Sequence, residues 1–128
     1  MARRLREAKV IWLTTIGRDG TPQPNPVWFL WQGDDSILTY NRPDANRLTH
    51  IKDRSRVSLN LDGNGNGGDI IVITGDAEQV SDVPAPHELP AYLDKYGESM
   101  VKVSGSQQGF SEEYGVPIRI KISRVRGF

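Results

Sequence analysis

Residues 116–123 alternate apolar Val116, Ile118, Ile120 and Ile122 with Pro117, Arg119, Lys121 and Ser123. A side-chain period of two belongs to a strand with one face buried and the other in water. Residues 55–61, Ser55-Arg56-Val57-Ser58-Leu59-Asn60-Leu61, repeat it. Two such strands point to an antiparallel sheet with one face on a core and the other in water.

Residues 9–16 are β-branched and aromatic and form a strand. Gly17-Arg18-Asp19-Gly20 is a tight turn. Residues 22–32 resume as a second strand, with Pro22, Pro24 and Pro26 in its first half. Proline removes backbone donors, so that half belongs at an edge. Residues 36–41 form a third strand. Pro43 and Asp44 open a helix, with Leu48 and Ile51 on one face and its end near Asp53. Residues 62–68 are a glycine–asparagine hairpin loop.

Residues 69–80 are expected to be the longest strand, buried on both faces at 70–73, with a bulge at Gly75. Residues 87–96 read as a helix, and residues 98–114 as short helices or loop. The expected fold is mostly β with minor α: one domain, residues 1–128, built as a six-stranded, largely antiparallel β-barrel.

Composition removes several function classes. Sixteen basic residues balance sixteen acidic ones, so nothing points to a nucleic-acid or membrane-surface binder. No apolar run approaches the ~18 residues of a membrane span. The basic N-terminus lacks a signal-peptide core behind it, and a soluble cytoplasmic protein is expected. With no cysteine there is neither a disulfide framework nor a cysteine nucleophile.

Catalytic sets are equally sparse. His50 and His87 are the only histidines, and both read as solvated surface side chains. The glycines at 63, 65, 67 and 68 lack the lysine and following helix of a phosphate loop. Asp62, Asn64, Asn66 and Asp69 lack the bidentate glutamate of a calcium loop.

Two segments remain. The first is Asn25, Pro26, Val27, Trp28, Phe29, Leu30 and Trp31; the second runs over residues 39–47. In a meander they are neighbours. Arg42 just before a helix N-terminus and Arg47 within it form an anion site suited to phosphate. The aromatic, donor-poor strand beside it suits a flat ring. Core packing of the tryptophans and solvation of the arginines is the other reading these residues allow.

Larger pieces of the sequence carry a resemblance. These are Gly17-Arg18-Asp19-Gly20-Thr21-Pro22-Gln23-Pro24-Asn25-Pro26-Val27-Trp28-Phe29, then Tyr40-Asn41-Arg42-Pro43-Asp44-Ala45, then Arg56-Val57-Ser58-Leu59-Asn60-Leu61-Asp62-Gly63. In this order and spacing, up to the closing Arg124-Val125-Arg126-Gly127-Phe128, they resemble the pyridoxamine-phosphate-oxidase-like split-barrel superfamily. Within it the sequence is most similar to the small actinobacterial branch of deazaflavin (coenzyme F420)-dependent reductases.

The resemblance implies a homodimer with two cofactor sites at the interface. It also implies hydride transfer between the cofactor and a small electron-poor acceptor. Asn25, Pro26, Val27, Trp28, Phe29 and Leu30 would run along the tricyclic ring, continued by Tyr40 and Asn41. Arg42, Asn46 and Arg47 would form the phosphate end. No catalytic side chain and no metal is implied, and Trp28, Trp31 and Tyr114 would shape the acceptor pocket. Arg47 stands where flavin-binding relatives carry a lysine, and Asn46 where they carry a neighbouring basic residue. Residues 69–72 lack the glutamine of the flavin oxidases, and the C-terminus lacks the vitamin oxidases' arginine and histidine. Coenzyme F420 is therefore the expected cofactor. Flavin mononucleotide (FMN) and a non-catalytic flat-ligand carrier are the alternatives.

Overall fold

The computed structural model describes residues 2–128. Its strands are β1 (Ile11–Ile16), β2 (Pro22–Val27), β3 (Leu30–Trp31), β4 (Ser36–Asn41), β5 (Arg56–Leu61), β6 (Ile71–Gln79) and β7 (Val116–Gly127). All pair antiparallel in one sheet of order β2-β1-β5-β6-β7-β4-β3. β2 and β3 thus lie at opposite edges, yet only Trp28 and Phe29 separate them in the chain. Three residue steps reach about 10 Å at most, so the sheet must curl until its edges nearly meet. The result is the expected barrel with one correction. The second strand divides at the seam, making seven strands where six were expected.

The alternating prolines explain which half takes the outer edge. Pro22, Pro24 and Pro26 pair with Ile16, Thr14 and Trp12 of β1. Proline at every second position leaves the outward side of β2 without donors, so no further strand can add there. Inside the barrel, Ile11, Leu13, Phe29, Ile37, Leu59, Ile73, Ile118 and Ile120 are wholly buried.

β6 is half-buried rather than buried on both faces, and β7, at 12 residues, is the longest strand. Its register with β7 shifts between Thr74 and Gly75, so the bulge falls where expected. A Cβ on Gly75 would collide with the Lys121 carbonyl oxygen.

The helices differ more from expectation. A short α1 (Ala2–Glu7), not expected, docks Leu5 into the barrel. α2 (Asn46–Asp53) starts later than expected, because residues 43–44 turn first: Ala45 is extended and its N–H bonds the Arg42 carbonyl at 3.1 Å. A 3-10 turn (Pro86–Glu88) leads into α3 (Pro90–Ser104), and α4 (Gln107–Glu113) follows. α3 runs through Gly97 because that glycine is buried against Gln107, leaving little room for a side chain. α3 and α4 cover the outward face of β4, where Leu38 and Tyr40 meet Tyr92, Tyr96, Met100 and Phe110 in a second apolar cluster.

Candidate functional site

β4 ends on Asn41, whose side chain is wholly buried. Its amide donates to the Val116 carbonyl at 3.1 Å and to the Thr39 side chain at 3.2 Å. That fixes the orientation of Oδ1, which accepts the Arg47 Nε–H at 2.6 Å. Arg47 sits in the first turn of α2, so its guanidinium is held by a buried amide on one side. On the other it lines a cleft. Burial lowers its pKa from the ordinary value, with Tyr114 acting in the opposite sense. No carboxylate lies within ion-pair distance of it among the described residues.

The cleft has a volume of about 260 Å³. It is lined by Pro26, Val27 and Trp28 from the end of β2 and the link to β3, by Tyr40 of β4 and Arg47 of α2, and by Tyr92, Val103, Phe110 and Tyr114 from the helical segment. The aromatic residues form a ladder. Trp28 stacks on Tyr96 at 4.6 Å and 4°, and on Phe110 at 5.2 Å and 14°. Phe110 stacks on Tyr114 at 4.6 Å, and the Arg42 guanidinium lies 5.5 Å over Tyr114. Such pairs stabilise by about 0.5–1.5 kcal/mol each beyond the area they bury. Trp28, Phe110 and Tyr114 of this column line the cleft.

Hydroxyl partners differ among the buried tyrosines. Tyr40 donates to the Pro84 carbonyl at 2.6 Å, and Tyr96 donates to the Lys9 carbonyl at 2.7 Å. Tyr92 is buried completely, and its hydroxyl has no hydrogen-bond partner among the described residues.

Of the residues expected at the site, the cleft gathers Pro26, Val27, Trp28, Tyr40 and Arg47, together with Tyr114. Asn41 acts one step back, through Arg47. Phe29 points into the barrel core, where period-two geometry puts it opposite its neighbours. Leu30 packs on the helical cluster, and Asn25 and Asn46 do not line the cleft. Arg42 pairs with Asp44 and Glu113, each at 3.5 Å, so its charge is already met. Trp31 lies on another groove, under Arg6 and beside Lys95.

Sequence reasoning missed Tyr92, Val103 and Phe110. The four-residue spacing of Tyr92, Tyr96 and Met100 was the available signal for the first. The histidines also differ from expectation. His50 Nδ1 lies 2.9 Å from Thr15 Oγ1 and His87 Nδ1 2.7 Å from Ser111 Oγ, because both helices turn them inward. Neither lines the cleft.

The buried phenols have a consequence for stability. Burial pushes Tyr40 up to about 12 from 10.0 and raises Tyr92 and Tyr96 as well. An unfolded chain loses these protons near pH 10 while the folded one keeps them. Their stabilisation is therefore complete below pH 10 and lost as pH rises toward 12. Burial, with Lys9 nearby, lowers Lys95 to about 8, which acts in the opposite sense between pH 8 and 10.5. Urea midpoints should hold or rise slightly from pH 8 to 10, then fall steeply. A midpoint that stays level to pH 12 would contradict this.

A family model described as pyridoxamine 5'-phosphate oxidase matches residues 1–127. No curated protein matches. Among solved structures, one is of an F420 reductase, 20% identical, covering 97% of this chain and 94% of that one, with a TM-score of 0.66. An FAD-binding protein of Mesorhizobium loti is 18% identical, covering 97% and 86%, with a TM-score of 0.68. The haem storage protein HutZ of Vibrio cholerae is 11% identical, covering 98% and 91%, with a TM-score of 0.67. Likeness at these identities establishes the fold and leaves the ligand to the residues of the cleft.

Proposed function

The chain belongs to the pyridoxamine 5'-phosphate oxidase family, and on that premise we propose that it is an oxidoreductase whose cleft holds coenzyme F420. Arg47 carries the reading. It is a half-buried guanidinium oriented by Asn41, with no carboxylate at ion-pair distance among the described residues, and it lines a cleft whose other walls are largely aromatic. A cation desolvated without a counter-ion gains most from an incoming anion, and a planar guanidinium matches phosphate. The ladder beside it suits a planar ring. The residues present therefore fit a phosphate-bearing tricycle.

The chemistry supplied by that cofactor when bound is hydride transfer, and the protein contributes binding, orientation and exclusion of water. Arg47 would hold the phosphate end, with Trp28, Phe110 and Tyr114 flanking the ring and leaving space for a small electron-poor acceptor. Burial keeps Tyr40 and Tyr92 protonated, so neither serves as a base. The F420 reductase among the similar folds supports a deazaflavin, as does Asn46, which adds no second charge for FMN.

A second copy of the chain would complete the site. At about 260 Å³ the cleft is smaller than the roughly 300–1,000 Å³ of most ligand pockets. Val103 on its rim is 52% exposed, an apolar side chain that a partner subunit would cover. Sedimentation should give twice the chain mass; a monomer at working concentration contradicts this part of the reading.

The similar fold of HutZ supports a second reading, a carrier of a flat ligand without turnover. Titrating the protein with coenzyme F420, FMN and haemin, reading tryptophan fluorescence, separates the cases. F420 should bind most tightly, and the reduced cofactor should be oxidised by a quinone only when protein is present. Tight haemin binding with neither redox cofactor bound would replace the proposal.

A further inference from the structure

We propose that Asn41 is a positioning residue that sets the charge selectivity of the cleft. Its neutral amide holds Arg47 by one edge and leaves the guanidinium charge free for an anionic group of the ligand, such as a phosphate. The inference rests on the reading of that cleft as the ligand site.

The amide can sit only one way round. Its Nδ2 lies 3.1 Å from the Val116 carbonyl oxygen, 3.2 Å from Thr39 Oγ1 and 3.3 Å from the Thr39 carbonyl oxygen. Turned over, Oδ1 would face those two carbonyls, and Nδ2 would face the Arg47 Nε–H, donor against donor. Asn41 and Thr39 are wholly buried, so no water relieves such a clash. Oδ1 is therefore fixed as an acceptor, and it takes the Nε–H at 2.6 Å.

This arrangement gives Arg47 a held edge and an open one. Nε has its partner in Asn41, whereas Nη1 and Nη2 have none among the described residues. Neither terminal nitrogen is enclosed: among the described residues, the enclosed side-chain atoms that lack a partner are the Tyr92 hydroxyl oxygen and Ser104 Oγ. Arg47 lines the cleft. Two terminal nitrogens side by side match two oxygens of one phosphate or carboxylate group.

The chemistry of the holder decides what that open pair can bind. Arg3, Arg42, Arg56 and Arg119 each meet a carboxylate within 3.5 Å. Arg47, half-buried, meets an amide instead. A carboxylate in the place of Asn41 would hold Nε as well, but it would neutralise the guanidinium and cancel its attraction for an incoming anion. Asparagine and aspartate differ by one terminal group, and the neutral one keeps the cleft selective for negative charge.

Asn41→Asp and Asn41→Ala test the proposal against the parent. The Arg47 Nε–H signal in a nitrogen NMR spectrum, identified by its loss in Arg47→Lys, reports the hold directly. It should exchange with water slowly in the parent and in Asn41→Asp, and fast in Asn41→Ala. Inorganic phosphate should shift this signal in the parent. Asn41→Asp should bind phosphate roughly 10- to 150-fold more weakly, the scale of a hydrogen bond to a charged group. Asn41→Ala should lose roughly two- to tenfold, the scale of ordering one freed side chain. Asn41→Asp should also bind FMN more weakly while binding riboflavin as the parent does, a split that damage to the fold would not produce. The phosphate titration needs no cofactor. Phosphate bound at Arg47 by a parent that takes neither F420 nor FMN would remove the proposed function and leave this inference standing. Four results would overturn it: a parent Nε–H that exchanges as fast as those of exposed arginines, no response of the parent signal to phosphate, unchanged phosphate affinity in Asn41→Asp, or equal losses of FMN and riboflavin there. Should the aspartate variant not fold, slow exchange with parent phosphate affinity in Asn41→Ala would overturn it equally.

Discussion

Tyr96→Ala should cost about 3–5 kcal/mol of folding stability, the range for emptying a large buried aromatic site. The residue stands where the barrel closes. Its hydroxyl accepts the Phe29 N–H at 3.0 Å and donates to the Lys9 carbonyl at 2.7 Å. It thus ties the link between β2 and β3 to the segment entering β1. Its ring stacks flat on Trp28, the first rung of the ladder that flanks the cleft. Tyr96→Phe separates these roles. The ring stays, but the buried Phe29 N–H loses its acceptor, which should cost about 1–3 kcal/mol. Urea titrations of the three proteins check the order: parent, then phenylalanine, then alanine. A phenylalanine variant as stable as the parent would show that the hydroxyl does not clamp the seam.

Arg47→Ala should weaken binding of the phosphate-bearing cofactor by about 1–3 kcal/mol, roughly 5- to 150-fold in Kd. The control is a flavin without phosphate. Riboflavin binding should change little, because the ring contacts belong to Trp28, Phe110 and Tyr114. Arg47→Lys should recover only part of the loss, since lysine keeps the charge but not the planar fork. It also gives up the Nε–H that Asn41 receives at 2.6 Å. Equal losses for FMN and riboflavin would mean that the substitution disturbed the cleft as a whole. No loss for either would remove the phosphate assignment.

Much of the barrel was legible because sheet burial writes a period of two. Residues 55–61 and 116–123 carry it openly, and the prolines of β2 announced an edge. The break at Trp28 and Phe29 was not legible. Each half of residues 22–32 is locally extended, and only the closure of the whole sheet makes them opposite edges. α1 escaped notice because a single residue, Leu5, carries its docking. α3 runs on past residue 96, although a glycine at 97 ordinarily weakens a helix, because that glycine makes room for Gln107.

The site divides the same way. Arg47 and the Pro26, Val27 and Trp28 wall follow from local pattern. The neutralisation of Arg42 does not, because Glu113 reaches it from the far end of the helical segment. Tyr92 and Phe110 enter the cleft only once α3 and α4 pack on the outward face of β4, a tertiary event with no local sign.

A crystal structure of the F420 complex would test the central claim most directly. The account predicts the phosphate within hydrogen-bond distance of the Arg47 guanidinium. It predicts the ring along Pro26, Val27 and Trp28, with a second copy of the chain closing its open side. Cofactor bound in the groove between α1 and α3, or bound with Arg47 still facing solvent, would contradict it.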